Sequence, residues 1–485
     1  MKSLKKNYAY NMIYQVMQMI LPLITAPYVS RILGTEGVGS FSFTRSVAYY
    51  FLLLGMLGIN NHGNRSISRV REDKEKTDRT FFELYSVQLC ISVIFLAAYI
   101  LAFIVFNHND KLLYVAQLPY VLSACFDINW LFFGLEEFKI TVTRKVVIKL
   151  FTTVGVFMLV KKPDDVILYA WIMNIGYFVG QCYLWIGIRK YVSFCRTDIK
   201  ESFKKHIKPL LVLFIPILAT SIYRVMDKVM IGSFRSYSDV GLYENADKIV
   251  MVCLGVITAW GNVMLPRISN LVAKNNIEQC RIYLKKSMQF INCITMAMSF
   301  GICAVANRFV IIFYGNEFAG SGIILSGLSF TLVFIGWSNT FRNQVLIPLE
   351  NDKYYVEAIV AGAVINLIIN ASLIPLLGSL GAMIGTMTAE LTVAVCQIVP
   401  MRKIVDIKTY LIDSVPFLIM GILMFFVTEL LEYLLPVPSI INLLIPIACG
   451  AFVYGLLCFL FFVRHKDTFG YQAIKRIFGI LHINI

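Results

Sequence analysis

Apolar residues along this chain gather into long runs, separated by short polar segments rich in lysine and arginine. A helix needs about 20 mostly apolar residues to cross a bilayer. A window of that length predicts fourteen spans, at 10–32, 40–61, 83–106, 113–134, 146–160, 166–188, 209–232, 241–263, 287–306, 321–346, 355–376, 380–400, 411–431 and 440–463. The fifth is short and the ends of the ninth and tenth are loosely defined, so the count is twelve to fourteen. No polar linker or low-complexity run divides them. The pattern predicts an all-α, polytopic membrane protein. The first run follows a lysine-bearing start that imitates a secretion signal. It passes twenty residues, lacks a small-x-small cleavage site and is followed by similar runs, so it reads as a retained span.

Composition agrees. Of 485 residues, 58% are apolar and 15% charged, where soluble domains carry about 45–50% and about 25%. The net charge of +15 would suggest nucleic acid in a soluble protein. Its placement points elsewhere. With the N-terminus in the cytoplasm, inside segments hold 32 Lys and Arg and outside segments 5, and the other seven lie within spans. That asymmetry is the positive-inside signature, and it predicts that both termini are cytoplasmic and that no nucleic acid is bound. The basic loops 63–80, 189–208 and 264–286 then face anionic headgroups. The eleven cysteines form no CxxC pair and fall mostly in apolar runs, which argues against a disulfide framework or a zinc site.

Two stretches echo each other about 200 residues apart. Leu21-Pro-Leu-Ile-Thr-Ala matches Ile215-Pro-Ile-Leu-Ala-Thr, and Gly37-Val-Gly-Ser-Phe matches Asp239-Val-Gly-Leu-Tyr. An offset of six spans keeps the same polarity. It predicts two pseudo-symmetric six-helix lobes, 1–205 and 206–403, with two accessory helices and a tail in 404–485, and a site where the lobes meet. Pro22 and Pro216 occupy matching places and are candidate hinges. Gly176-x-x-x-Gly180 and Gly381-x-x-x-Gly385 suit close helix packing.

Ionisable residues within spans carry the sharpest chemical signal, because each costs at least about 2.5–3.5 kcal/mol at the bilayer centre. They include Arg31, Arg45, Asp127, Arg224, Asp227, Lys228, Glu244, Asp247, Lys248, Arg342 and Glu390. Spacings of three and four place Arg224, Asp227 and Lys228 on one helical face, and Glu244, Asp247 and Lys248 on another. Two readings stay open. In one, the two triads neutralise each other. In the other, Arg31, Arg45, Arg224, Lys228 and Arg342 line a cationic cavity for an anionic substrate, while Asp127, Asp227, Glu244, Asp247 and Lys248 couple transport to an ion or pair their charges. No phosphate loop, HExxH or GxSxG is present, so neither an enzyme nor an ATP-driven pump is expected, unless a partner subunit supplies the motor.

At this point the residues resemble a known family. The stretches Ala26-Pro-Tyr-Val-Ser-Arg-Ile-Leu-Gly, Asp127-Ile-Asn-Trp-Leu-Phe-Phe-Gly-Leu-Glu-Glu-Phe-Lys, Asp227-Lys-Val-Met-Ile-Gly, Val240-Gly-Leu-Tyr-Glu-Asn-Ala-Asp-Lys-Ile and Arg342-Asn-Gln-Val-Leu-Ile-Pro resemble the Wzx-type oligosaccharide flippases. Those belong to the superfamily that includes MATE exporters and the lipid II flippase. The sequence departs from the family's usual residues at Arg45 and at Phe133, where glutamine is frequent. The resemblance implies a two-lobed bundle working by alternating access in a bacterial plasma membrane. Its substrate would be an undecaprenyl-pyrophosphate-linked oligosaccharide repeat unit moved to the outer leaflet for capsule, exopolysaccharide or O-antigen assembly. It implies no cofactor, coupling to H+ or Na+, and a polysaccharide polymerase and glycosyltransferases as partners. A MATE-like exporter of small cations is the nearest alternative, and a membrane polysaccharide polymerase the enzyme alternative. Polymerases of that kind typically carry a large external loop, which this chain lacks.

Overall fold

The computed structural model describes residues 2–106, 110–403, 405–435, 439–465, 468–471 and 475, with side chains from residue 21 onward. Every regular element among them is helical. In chain order they are α1 (Lys2–Met56), α2 (Ile59–Val70), α3 (Lys74–Tyr99), α4 (Lys111–Leu122), α5 (Asn129–Gly134), α6 (Phe138–Leu159), α7 (Val166–Tyr183) and α8 (Ile199–Phe234). There follow α9 (Tyr237–Ala273), α10 (Ile277–Tyr314), α11 (Ser321–Ser329), α12 (Thr331–Phe341), α13 (Asp352–Leu377), α14 (Ser379–Ile398), α15 (Ile407–Leu434) and α16 (Ile440–Arg464). Most of the expected tail after residue 464 lies outside the described residues.

Among the described residues, eleven stretches are long and apolar enough to cross a membrane. Three departures account for the difference from fourteen. The first two expected spans share one stretch, Leu21–Val70. Within it Gly34, at φ 66 and ψ −176, breaks the helical geometry of α1. That backbone conformation is open essentially to glycine alone. The fourth expected span falls on α4 and α5, broken by the 3-10 turn Ser123–Cys125. The fifth falls on α6, whose sequence holds Arg144, Lys145 and Lys149.

The broken fourth span is where sequence and chemistry meet. Helix interruption frees backbone carbonyls, and membrane interiors tolerate that only where protein groups satisfy them. Each carbonyl from Ala124 to Asp127 accepts such a bond. Gln88 Nε2 donates to Ala124 O at 2.7 Å and to Asp127 O at 2.8 Å. Tyr85 Oη donates to Cys125 O at 3.2 Å and Trp185 Nε1 to Phe126 O at 2.9 Å. Trp130 Nε1 in turn donates to Gln88 Oε1 at 2.9 Å, fixing the amide's orientation. A Cβ at Gly63 would lie 2.6 Å from the Trp130 ring, so only glycine lets α2 approach that indole.

Packing divides the chain into two units. One comprises Met1–Ser221 with Ser236–Gly241, the other Ile222–Arg235 with Leu242–Ile485. In the first unit, the start of α9 packs on α1 so closely that Gly39 and Gly241, matching positions of the two sequence echoes, meet backbone to backbone. The matching prolines share a second trait. Thr25 Oγ1 donates to Leu21 O at 3.0 Å and Thr220 Oγ1 to Pro216 O at 2.8 Å, a back-bond that often bends helices. In the second unit, α14 packs on α13 with Gly381 against the Leu373 carbonyl and Gly385 against the Asn370 amide.

Candidate functional site

The first unit holds a cavity of about 760 Å³. Among the described residues its charged lining is lopsided: Arg45, Arg144, Lys145 and Lys149 against Asp127 alone. Amides supply much of the remaining polar surface, from Asn60, Asn61 and Asn64 of α2 and from Asn129 and Gln181. Pro22, Phe133 and Tyr177 also face it.

Local structure explains each placement. The broken fourth span aims Asp127 back at its own chain, where Oδ1 accepts from the Asn129 backbone at 3.0 Å and from Asn129 Nδ2 at 2.6 Å. Gln181 Nε2 donates to Asp127 Oδ2 at 3.3 Å. Arg144 reaches this network from α6. It donates to Gln181 Oε1 at 2.7 Å, to Asn129 Oδ1 at 3.0 Å and to the Gly180 carbonyl at 2.8 Å. The last bond depends on the small residues at Gly176 and Gly180, which bring α7 against Thr152 and Ile148 of α6. Arg45 is held differently. Its guanidinium lies 3.1 Å over the Tyr120 ring and donates to Asn174 Oδ1. Asn174 is fixed by donating to Ala116 O at 2.7 Å and Gln117 Oε1 at 2.8 Å. Neutral groups thus position this cation.

The second unit treats its charges in the opposite way. Lys228 Nζ lies 2.6 Å from Glu244 and 3.0 Å from Asp247, and Lys248 lies 3.3 Å from Glu244. Asp227, only 1% exposed, faces neutral groups. It accepts from Asn370 Nδ2 at 2.6 Å, Thr386 Oγ1 at 2.6 Å and Tyr243 Oη at 2.7 Å. Arg224 is exposed on α8 and shares a small pocket of about 30 Å³ with Asp247 and Glu390. The three-four spacing therefore divides its triad among three environments. Lys228, not Arg224, carries the bridge to the α9 carboxylates.

Of the other residues singled out, Arg31 is exposed on α1 and lines neither of these cavities. Arg342 opens a π-helical turn, Arg342–Leu346, and stacks 4.7 Å over Tyr355. Pro216 lies within α8, which runs through it unbroken. Sequence reasoning missed Arg144, Lys145, Lys149 and the asparagines of α2. The signal was present: Lys149 is one of the seven in-span cations, and Lys145 stands four residues before it. Starting the fifth span at 146 hid that pair.

The family described as polysaccharide biosynthesis proteins matches this chain over residues 4–272, more than half its length and the whole lining of the cavity. The chain belongs to that family. The resemblance to Wzx-type flippases, read from the motif stretches, is borne out by it and by the relatives. A putative O-antigen transporter of Shigella dysenteriae is 24% identical over 395 residues, covering 80% of this chain and 98% of the relative. One of Escherichia coli K12 is 24% identical over 413 residues, covering 83% and 97%. Both relatives are named for transport rather than catalysis. Among solved structures, the lipid II flippase MurJ in an inward closed conformation superposes with a TM-score of 0.76 at 17% identity. It covers 93% of this chain and 99% of that one, a likeness of fold. This polysaccharide biosynthesis protein is therefore a multi-pass membrane protein, helical in every regular element described, with a fold like that of the lipid II flippase.

Proposed function

We propose that this protein flips undecaprenyl-pyrophosphate-linked oligosaccharide repeat units from the cytoplasmic to the outer leaflet of a bacterial plasma membrane, for capsule, exopolysaccharide or O-antigen assembly. The observation that carries the proposal is the first-unit cavity, with four cations against one carboxylate. A diphosphate oxygen about 4 Å from a cation gains about 4 kcal/mol at an effective dielectric near 20. Guanidinium forks match two phosphate oxygens at once. The asparagine cluster offers donors and acceptors to sugar hydroxyls, while the polyprenyl tail stays in lipid. An exporter of small cations would be served by carboxylates instead, so the lining favours anionic cargo.

The cycle we propose is alternating access, with Pro22 and Pro216 bending their helices and an ion binding at Asp227. That carboxylate, the Tyr243 and Thr386 hydroxyls and the buried Asn370 amide oxygen, which has no hydrogen-bond partner, form an oxygen-rich shell. Such a shell suits a proton or a sodium ion. Polymerase and glycosyltransferases are the proposed partners, and both termini are placed in the cytoplasm. An impermeant thiol reagent applied to intact cells should therefore leave Cys195, in the 189–208 loop, unlabelled; ready labelling would invert the topology.

Deletion of the gene tests the function. Lipid-linked units should accumulate on the cytoplasmic leaflet, and surface polymer should fall. Accumulation of flipped but unpolymerised units outside would instead assign polymerisation.

A further inference from the structure

In the second unit one cysteine sulfur, that of Cys458, has two further sulfurs within 4 Å, each from a different helix. Cys293 Sγ of α10 lies 3.8 Å from Cys458 Sγ of α16. Cys458 Sγ lies 3.7 Å from Met420 Sδ of α15. Cys458 and Met420 are buried at 6% and 9% exposure among Met296, Met424, Phe417 and Phe462. Tyr454 Oη donates to the Cys293 carbonyl at 2.7 Å, which sets α16 against α10 at this level.

From this geometry we propose that Cys293, Met420 and Cys458 form a binding site for a soft monovalent metal ion, Cu(I) or Ag(I). Metal–thiolate bonds are about 2.3 Å long, so three sulfurs around one ion in a plane stand about 4.0 Å apart. Both measured edges lie within a few tenths of an ångström of that. Thiolate with thioether is the ligand pair that selects Cu(I) over harder ions. Charge points the same way. One thiol loses its proton to solvent on binding, the metal forms bonds to three sulfurs, and the second cysteine stays a thiol, so the centre is neutral. Neutrality matters in an apolar interior, and a monovalent ion reaches it with one thiolate where a divalent ion needs both thiols deprotonated. An apolar cavity of about 520 Å³ lined by Met424, Gly450 and Tyr454 adjoins the site and offers an entry path. Bound metal would staple α15 and α16 to α10. Cysteines 165 residues apart give no motif, so the site is invisible to spacing rules.

The test uses the full chain purified in detergent, kept anaerobic and reduced, and titrated with Cu(I) against bicinchoninate as competing chelator. Wild type should retain about one copper per chain, with trigonal sulfur coordination by X-ray absorption. Cys458→Ser and Cys293→Ser should each lose it, whereas Cys303→Ser, on the same helix, should keep it. Met420→Leu conserves volume and should fold normally while weakening retention by about tenfold or more. Equal copper in wild type and Cys458→Ser overturns the site, as does no retained copper, or a Met420→Leu variant that binds as tightly as wild type. A Cys293–Cys458 disulfide in the reduced protein, read from intact mass, overturns it as well.

Discussion

The two packed units answer the same problem, charge within a membrane, in opposite ways. In the first, cations are held by neutral partners: Arg45 by Tyr120 and Asn174, Arg144 by amides and a carbonyl. They face an open cavity whose only carboxylate among the described residues, Asp127, is occupied with Asn129 and Gln181. In the second, cation and carboxylate touch, Lys228 serving both Glu244 and Asp247. Desolvating a buried ion pair offsets most of what its attraction returns, so such a pair stabilises little but is costly to break. Cations that line a cavity through neutral partners are the reverse. On the proposed function, their worth appears when an anionic cargo arrives. The difference teaches that in-membrane charge is informative about cargo only after its partners are known.

The largest expected effect breaks the second unit. Lys228→Ala takes Asp247's ion-pair partner and leaves Glu244 paired with Lys248, and should destabilise the protein by about 3–5 kcal/mol, seen as lost abundance and a lower melting temperature. Adding Glu244→Gln and Asp247→Asn should restore most of that stability. If Lys228→Ala folds normally and only transport falls, the ion-paired reading of this unit is wrong.

Next comes the first unit. Lys149→Ala should leave the melting temperature close to wild type while flipping falls on the order of 10- to 100-fold, the worth of one charge-assisted bond of about 1.5–3 kcal/mol. Lys149→Arg should retain a large part. A Lys149→Ala protein that melts as early as Lys228→Ala would erase the contrast between the units.

The smallest effect lies outside the membrane. Asp406 caps α15, its carboxylate accepting from the Thr409 hydroxyl at 2.6 Å and held below its usual range first by that bond and then by the Thr409 backbone. A depressed carboxylate contributes its stability above the unfolded value of 3.8 and loses it as pH falls through the folded one. Melting curves of wild type and Asp406→Ala should therefore differ slightly at neutral pH and converge in acid. Curves that stay parallel at every pH would deny the carboxylate that role.

Much of this was legible in residues alone. The apolar runs located the long helices of the bundle because a lipid solvent makes spans long and unmistakable. The echo of Gly37-Val-Gly with Asp239-Val-Gly marked two glycines that meet in space, and the Asp127 stretch marked a wall of the cavity. Less was legible where a span was broken or charged. The carbonyls freed around Asp127 need Gln88 and Tyr85 of α3 and Trp185 of the turn after α7, whose sequences carry no sign of that task.

By itself, then, the sequence determined the solvent, the number of long apolar stretches to within three, the family and the inventory of intramembrane charges. These follow from composition and from periodicity within one helix, both local properties. Tertiary structure alone decided who faces whom. Helical spacing placed Arg224, Asp227 and Lys228 together, yet Asp227 turned to Asn370 and Thr386, 143 and 159 residues away, while Lys228 turned to Glu244 and Asp247. The physical reason is that spacing fixes direction only around one helix axis. Whether a charge is paired, caged by amides or open to cargo depends on the neighbouring helix, and packing chooses that neighbour.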